Sequence, residues 1–300
     1  MGNKLVLFAS PGRVAEPTIP LLLEKEWKAS VSYRSGGSSE STAKKIQQDY
    51  GNQKIRAIEA DISSLEGSKK FLKDSLIYFG NGLERIALIN VASQFPKKED
   101  FEKWTQEKGI DEKDWRYFNS NFEVMRNMSL AVLDYHKSHP ELRVDIVNFA
   151  DERSQRYFNE NLIHPFSDLN KKTLEITIED AKTKGLDLLD TASVSGRDYN
   201  PYLLSKLLIG YMTREIALDY KGKNVRVNAI APGVMSASPN DTKEQAEEYA
   251  RQSTITGALE GHKIAGDSIY YLLEMASNMT GNILFPDGGM HLLWVENNQK

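Results

Sequence analysis

Apolar residues along this chain fall into two alternating patterns. Short, nearly continuous apolar runs occur at Lys4–Ala9, Ala29–Tyr33, Ile55–Glu59, Ile86–Val91, Val144–Ala150, Val225–Ile230 and Asn282–Phe285. Between them lie stretches compatible with helices: Glu16–Lys28, Ser41–Tyr50, Glu66–Tyr78, Asp111–Lys137, Asn200–Tyr220 and Asp267–Met275. A strand that is apolar on both faces needs cover on both, and a helix between successive strands lets them run parallel. The pattern therefore predicts an α/β fold, a single doubly wound parallel sheet with helices on both faces. No internal repeat and no Gly/Ser- or Pro-rich linker divides the chain, so residues 1–300 read as one domain. In such a sheet ligands bind beyond the carboxyl ends of the strands, and candidate chemistry is sought there.

Composition narrows the function classes. A net charge of -4 gives no support for a nucleic-acid partner. No apolar run approaches the ~18 residues that a bilayer span needs, so no membrane partner is expected. The N-terminus shows no basic region followed by a long apolar stretch, and a cytoplasmic location is expected. Cysteine is absent, which removes disulfides and thiolate chemistry. Among the five histidines only His136 and His139 have a ligand-like spacing. They sit at an expected helix end beside Pro140, so no metal is expected.

The first strand, turn and helix, Leu5 onward, occupy the place of a dinucleotide loop, where glycines let the backbone approach a pyrophosphate. Only Gly12 is a glycine here; Ala9, Arg13 and Ala15 hold the other positions, and an ordinary βα turn fits equally well. The second strand ends in Arg34 and Ser35 rather than a carboxylate. An arginine there favours a 2'-phosphate and so NADP(H) over NAD, the competing reading being a solvated surface arginine.

Carrying "INVASQF" after the fourth strand, "IVNFAD" at the end of the fifth, then "YLLSK", "VRVNAIAPGVM" and "TGNILFPDGG" in that order, the chain resembles the short-chain dehydrogenase/reductase family, a Rossmann-type fold, and within it the pteridine reductase branch that includes dihydromonapterin reductases. "YLLSK" supplies the family's Tyr-x-x-x-Lys pair as Tyr202 and Lys206. "VRVNAIAPGVM" (Val225–Met235) and "TGNILFPDGG" (Thr280–Gly289) match its later strands, and "ADI" (Ala60–Ile62) matches an adenine contact. Three departures from the wider family agree with the pteridine branch: Arg13 in the glycine loop, "INVASQF" after the fourth strand, and Asp151 where the family has a catalytic serine. The resemblance implies that Gly12, Arg13, Arg34, Ser35, Asp61, Ile62, Asn90, Ala92, Ser93, Lys206, Pro232, Gly233 and Val234 line the cofactor. It implies further that Phe95 stacks on a flat pterin and that Ser93, Asp151, Tyr199 and Tyr202 meet the substrate. A homo-oligomer, dimer or tetramer, is implied by the same analogy.

The chemistry can also be reasoned from the residues. A phenol with a pKa near 10 needs a neighbouring cation to become a ready proton donor or acceptor at neutral pH. Four residues apart on a helix, Tyr202 and Lys206 face the same side. Asp151, at a strand tip, could bind a donor-rich substrate edge or relay the proton. Asn121 matches the family's asparagine that supports the lysine through water. Tyr199 stands seven positions before Lys206, a spacing like that of enoyl-carrier-protein reductases, so it competes with Tyr202 as proton donor.

One segment departs from the family. Asp151 and Tyr202 are 51 positions apart, and the insertion at about 152–197 is expected to form an extra helix or flap near the substrate mouth. Phe158, His164 and Phe166 are its possible contacts, with an oligomer contact or surface elaboration an equal alternative. The expected function is NADPH-dependent reduction of a pterin-like substrate. An enoyl- or carbonyl-reducing enzyme is the first alternative, and a catalytically idle binding or regulatory protein the second.

Overall fold

The computed structural model describes residues 3–91, 94, 96–107, 110–152, 164–191, 200–235, 242–257 and 261–297. Seven strands form one parallel sheet: β1 (Asn3–Phe8), β2 (Trp27–Tyr33), β3 (Ile55–Glu59), β4 (Leu83–Asn90), β5 (Arg143–Phe149), β6 (Val225–Ile230) and β7 (Ile283–Leu284). Their order is β3-β2-β1-β4-β5-β6-β7, so the winding reverses between β1 and β4. The doubly wound fold and all seven strand positions agree with the hydropathy pattern. Leu5–Phe8 and Ile86–Ile89, at the middle of the sheet, are wholly buried, as strands covered on both faces must be.

The helices are α1 (Gly12–Leu23), α2 (Ser38–Tyr50), α3 (Leu65–Phe79), α4 (Lys98–Glu107), α5 (Arg116–Phe118) and α6 (Val124–Ser138). Then come α7 (Ile178–Asp180), α8 (Leu186–Thr191), α9 (Pro201–Asp219), α10 (Lys243–Ser253), α11 (Lys263–Tyr270) and α12 (Met290–Asn297). Helix α1 packs on α11, and α3, α6 and α9 form a second layer. The first helix starts at Gly12, earlier than the pattern suggested, and stops at Leu23. Glu26 turns into the left-handed region at φ 63°, and Trp27 is already in β2. Asp111–Lys137 is not one helix, because Asp114 Oδ2 accepts from the Asp111 backbone N–H at 2.8 Å and folds a turn before Arg116. Helices α4, α10 and α12 were not expected.

At the amino edge of the sheet, opposite the ligand edge, Asp145 gathers a set of cations. Arg85 Nε donates to its carboxylate at 2.6 Å and Arg226 Nε at 2.7 Å, with Arg143 at 3.3 Å. Glu274 in turn accepts from Arg85 at 3.1 Å and from Trp27 Nε1 at 2.9 Å. The Asp145 side chain is 3% exposed, and its removal strands nearly buried guanidinium groups. Asp145→Ala is expected to lower unfolding free energy by about 3 kcal/mol in a denaturant titration. A loss below about 1 kcal/mol would show that water or Glu274 replaces it.

In the described part of the insertion, residues 164–191, several apolar side chains are buried. Phe166, Ile176, Ala181 and Leu189 belong to the main hydrophobic core, each 0–1% exposed. Their segment lies along α9 and α6. Glu215 of α9 accepts the Thr173 backbone N–H at 2.6 Å, Lys172 pairs with Asp219 at 2.8 Å, and Arg126 of α6 donates to the Ile176 carbonyl. Gly185 sits so close to Leu204 that a Cβ there would stand 2.6 Å from Leu204 Cδ2. The expectation that Phe166 meets substrate is therefore corrected: it is a core residue, buried by α9. His164 is exposed, and Phe158 lies outside the described residues.

Candidate active site

Strand β5 ends at Phe149, and Asp151 follows two residues later at the carboxyl edge of the sheet, 7% exposed. Helix α9 begins beside it. Asn200 caps the helix by accepting the Leu203 N–H at 2.9 Å, and Pro201 takes the first helical position, where its missing N–H costs nothing. Tyr202 is thereby fixed in the first turn, and its hydroxyl donates to Asp151 Oδ2 at 2.9 Å. One turn further on, Lys206 is 2% exposed; its ammonium donates to the Phe149 carbonyl at 3.0 Å and lies 5.9 Å from the centre of the Tyr202 ring. Burial pulls the Lys206 pKa down from 10.5 to about 8, and the Asp151 carboxylate opposes that fall without cancelling it. The structure thus brings Asp151 together with Tyr202, 51 positions later in the chain, and with Lys206. Such a site can present a phenolic proton beside a carboxylate that accepts it and an ammonium whose charge is held in a dry environment.

Asn121 lies in a π-helical turn, Asn119–Glu123, that joins α5 to α6. Such turns widen a helix locally and reorient its side chains, often at functional sites. The Asn121 amide nitrogen donates to the Tyr117 carbonyl at 2.6 Å and to the Gln94 carbonyl at 3.1 Å, tying the loop after β4 to the helix. Sequence reasoning missed two neighbours of the tyrosine. Trp104 of α4 and Tyr117 of α5 form a small aromatic cluster with Tyr202, apart from the main core. Trp104 and Tyr117 meet edge to face, 5.7 Å between ring centres at 90°.

The remaining candidates lie along the same carboxyl edge. Gly12 opens α1 at φ 46°, a conformation that disfavours side chains, while a Cβ there would meet Val91 only at 3.7 Å; backbone shape, not space, requires the glycine. Arg13 is exposed on the first turn, near enough to His262 that its charge, after burial, holds the His262 pKa low. Ala9 and Ala15, which replace glycines, are wholly buried, so their methyl groups point into the core and not toward a ligand. Arg34 and Ser35 are exposed at the end of β2. Asp61, after β3, accepts from the Ser63 hydroxyl at 2.7 Å and its N–H at 3.1 Å. These bonds, with Arg34 nearby as a minor contributor, keep its carboxyl below the usual range. Ile62 is buried.

Asn90 is turned inward. Its amide donates to Asn148 Oδ1 at 2.8 Å and Ser129 Oγ at 3.2 Å, and Asn148 continues the chain to Thr213 at 3.0 Å. Pro232, Gly233 and Val234 follow β6, with the Gly233 backbone against buried Asp287. Ala92, Ser93, Phe95 and Tyr199 lie outside the described residues. Among the described residues no group of His, Asp and Glu could hold a metal ion, and no helix is long and apolar enough to cross a membrane.

A family model described as enoyl-(acyl carrier protein) reductase matches residues 142–291, half of the chain, including Asp151, Tyr202 and Lys206. The chain is 38% identical over 98 residues to 3beta-hydroxysteroid dehydrogenase 1 of Eggerthella lenta, a stretch that covers 30% of this chain and 36% of that protein. It is 39% identical over 94 residues to glucose 1-dehydrogenase 2 of Bacillus subtilis, with the same two coverages of 30% and 36%. The aligned stretch thus spans about a third of the length of these relatives. In fold the chain is similar over 97% of its length to a Serratia marcescens short-chain dehydrogenase/reductase mutant, of which 98% is covered, with TM-score 0.66 and 17% identity. It is similar over the same share to an NADPH-dependent 3-quinuclidinone reductase of Rhodotorula rubra, of which 92% is covered, with TM-score 0.64 and 17% identity. With a seven-stranded doubly wound sheet and a tyrosine–lysine turn at its carboxyl edge, this chain belongs to the short-chain dehydrogenase/reductase family.

Proposed function

We propose that the protein is a nicotinamide-dependent oxidoreductase, using NADP(H), in which Tyr202 delivers the proton to a substrate held against Asp151. The observation that carries this reading is the Tyr202 hydroxyl poised 2.9 Å from a buried carboxylate, with the Lys206 ammonium one turn behind. The carboxyl edge fits a dinucleotide: Gly12 opens the helix, Ala9 and Ala15 keep their side chains inside, and Arg34 with Ser35 stands exposed at the end of β2. When bound, the nicotinamide supplies the hydride. The chain's own residues do the rest. Tyr202 passes its hydroxyl proton to the substrate atom that gains electron density, the Lys206 ammonium stabilises the phenolate left until solvent reprotonates it, and Asp151 stays ionised and accepts hydrogen bonds from the substrate edge.

A carboxylate in place of a neutral hydroxyl favours a substrate with a donor-rich edge, and a pterin-like ring, amino group toward Asp151, satisfies that demand. A second reading has a specific support of its own: relatives named for steroid, sugar and butyrolactone oxidoreduction favour a carbonyl substrate. An NADPH-oxidation screen across dihydropterins, ketones and enoyl thioesters separates the two. Turnover of dihydropterins with none of simple ketones supports the first, the reverse pattern the second, and no oxidation of any class leaves neither standing.

Cofactor choice is tested separately. Arg34→Asp is expected to weaken NADPH binding about tenfold to a hundredfold, the scale for losing one charge-assisted contact, with little change for NADH. Fluorescence titration with both cofactors measures it. Equal losses would show that Arg34 does not meet the 2'-phosphate.

A further inference from the structure

Helix α4 is an unusual neighbour for a proton-transferring tyrosine. It follows directly on the loop after β4, at the same carboxyl edge as Asp151, and most of its residues are polar. Trp104 nevertheless is 2% exposed: its indole meets Tyr117 edge to face, and both belong with Tyr202 to a cluster of three aromatic rings separate from the main core. The helix is fastened at two points. Near its start, Asp100 accepts from the Tyr117 hydroxyl and from Arg116 at 3.2 Å, and Arg116 also donates to the Tyr117 oxygen at 2.9 Å. Further along, Lys103 bridges Asp111 at 2.8 Å and Asp114 at 3.0 Å. Tyr117 thus does two jobs: its ring lies against Trp104, and its hydroxyl holds the helix from which Trp104 projects.

We propose that α4 is the size-selecting wall of the substrate site, with Trp104 limiting how far a substituent extends alongside Tyr202 and the Asp100–Tyr117 hydrogen bond holding the wall in place. This rests on the oxidoreductase reading above and names the residue that sets its steric range. A large, rigid ring at a fixed place excludes bulk that a smaller side chain admits, and a pocket change of this kind shifts selectivity by about tenfold or more. Tyr117 acts through Trp104 and is a positioning residue.

The test is a ratio. Wild type, Trp104→Phe, Trp104→Ala and Tyr117→Phe are assayed for kcat/KM with NADPH on a homologous series of the carbonyl or pterin class that wild type turns over, graded in substituent size. NADPH affinity is measured alongside by fluorescence. Trp104→Ala is expected to raise the large-to-small ratio of kcat/KM by about tenfold, and Trp104→Phe to move it part of the way with the fold intact. Tyr117→Phe, which keeps the ring and loses the hydroxyl, is expected to move the ratio in the same direction by less, with NADPH affinity unchanged in all three. A ratio unchanged in both Trp104→Phe and Tyr117→Phe, with turnover merely lowered throughout, overturns the wall and leaves the oxidoreductase reading standing. NADPH binding without turnover of any series member by any of the four proteins overturns the reading and the wall together.

Discussion

Replacing Tyr202 with phenylalanine is expected to lower turnover by roughly two orders of magnitude or more, the usual scale for losing a positioned proton donor. The variant keeps the ring that packs with Trp104 and Tyr117 and loses only the hydroxyl that donates to Asp151. NADPH affinity should be little changed, so the loss belongs to the chemical step and not to binding. Steady-state kinetics with NADPH titration in parallel measures both. Tyr199→Phe is the control: if it abolishes activity while Tyr202→Phe retains it, the proton comes from the other tyrosine, and the bond between Tyr202 and Asp151 is structural.

Lys206→Met should separate stability from function. In the unfolded chain the amine has its ordinary pKa of 10.5; in the folded protein burial lowers it to about 8. The folded state therefore binds fewer protons than the unfolded state between these values. Below pH 8 the wild type carries the full penalty of a buried ammonium, and the penalty is relieved as pH rises from 8 toward 10.5. A shift of this size corresponds to about 3 kcal/mol. Lys206→Met is therefore expected to be more stable than wild type at pH 7, less the bond to the Phe149 carbonyl, and its advantage should fade across that pH window. Activity should move the other way: the variant loses most turnover, and wild-type kcat/KM falls as pH rises through about 8. Denaturant unfolding of both proteins at pH 7 and pH 10 checks the first statement, and a pH–rate profile checks the second. A variant less stable than wild type at pH 7 would mean that the ammonium is better solvated than its burial implies.

Much of this was legible in the residues. Strands β3 and β6 start and end where the apolar runs do; β6, buried on both faces, leaves a dense local signal, and β3, at the sheet edge, is marked by Ile55, Ala57 and Ile58. The Tyr202–Lys206 turn was equally plain, since one helical turn fixes which residues share a face. Helix α4 was not, because in Lys98–Glu107 only Phe101 and Trp104 are apolar, too few to mark a stripe; its place comes from Asp100 and Lys103 finding partners outside the helix. The cluster that holds Trp104 and Tyr202 brings together residues about a third of the chain apart, and no local pattern reports an association of that range. The burial of the insertion was hidden for a related reason. Its Phe166, Ile176 and Leu189 read as scattered apolar residues in a polar stretch, and only their shared burial on α9 shows that they complete a core. The sign that α9 needed cover on every side was present in "PYLLSKLLIGYM", where apolar residues run around the whole helix.

That cover has a thermodynamic consequence. The outer face of α9, which bears Tyr202 and Lys206 on another side, is buried by residues 164–191 of the same chain, held by Glu215, Asp219 and Leu204. A surface buried by a separate molecule empties on dilution, because its occupancy follows mass action. A tethered segment keeps a high effective concentration, set by the length of chain between its anchors and independent of how much protein is in solution. The helix that positions the proton donor therefore keeps this side of its packing at any protein concentration, and the long excursion between Asp151 and Tyr202 supplies from within one chain what an unattached partner could supply only above its dissociation constant.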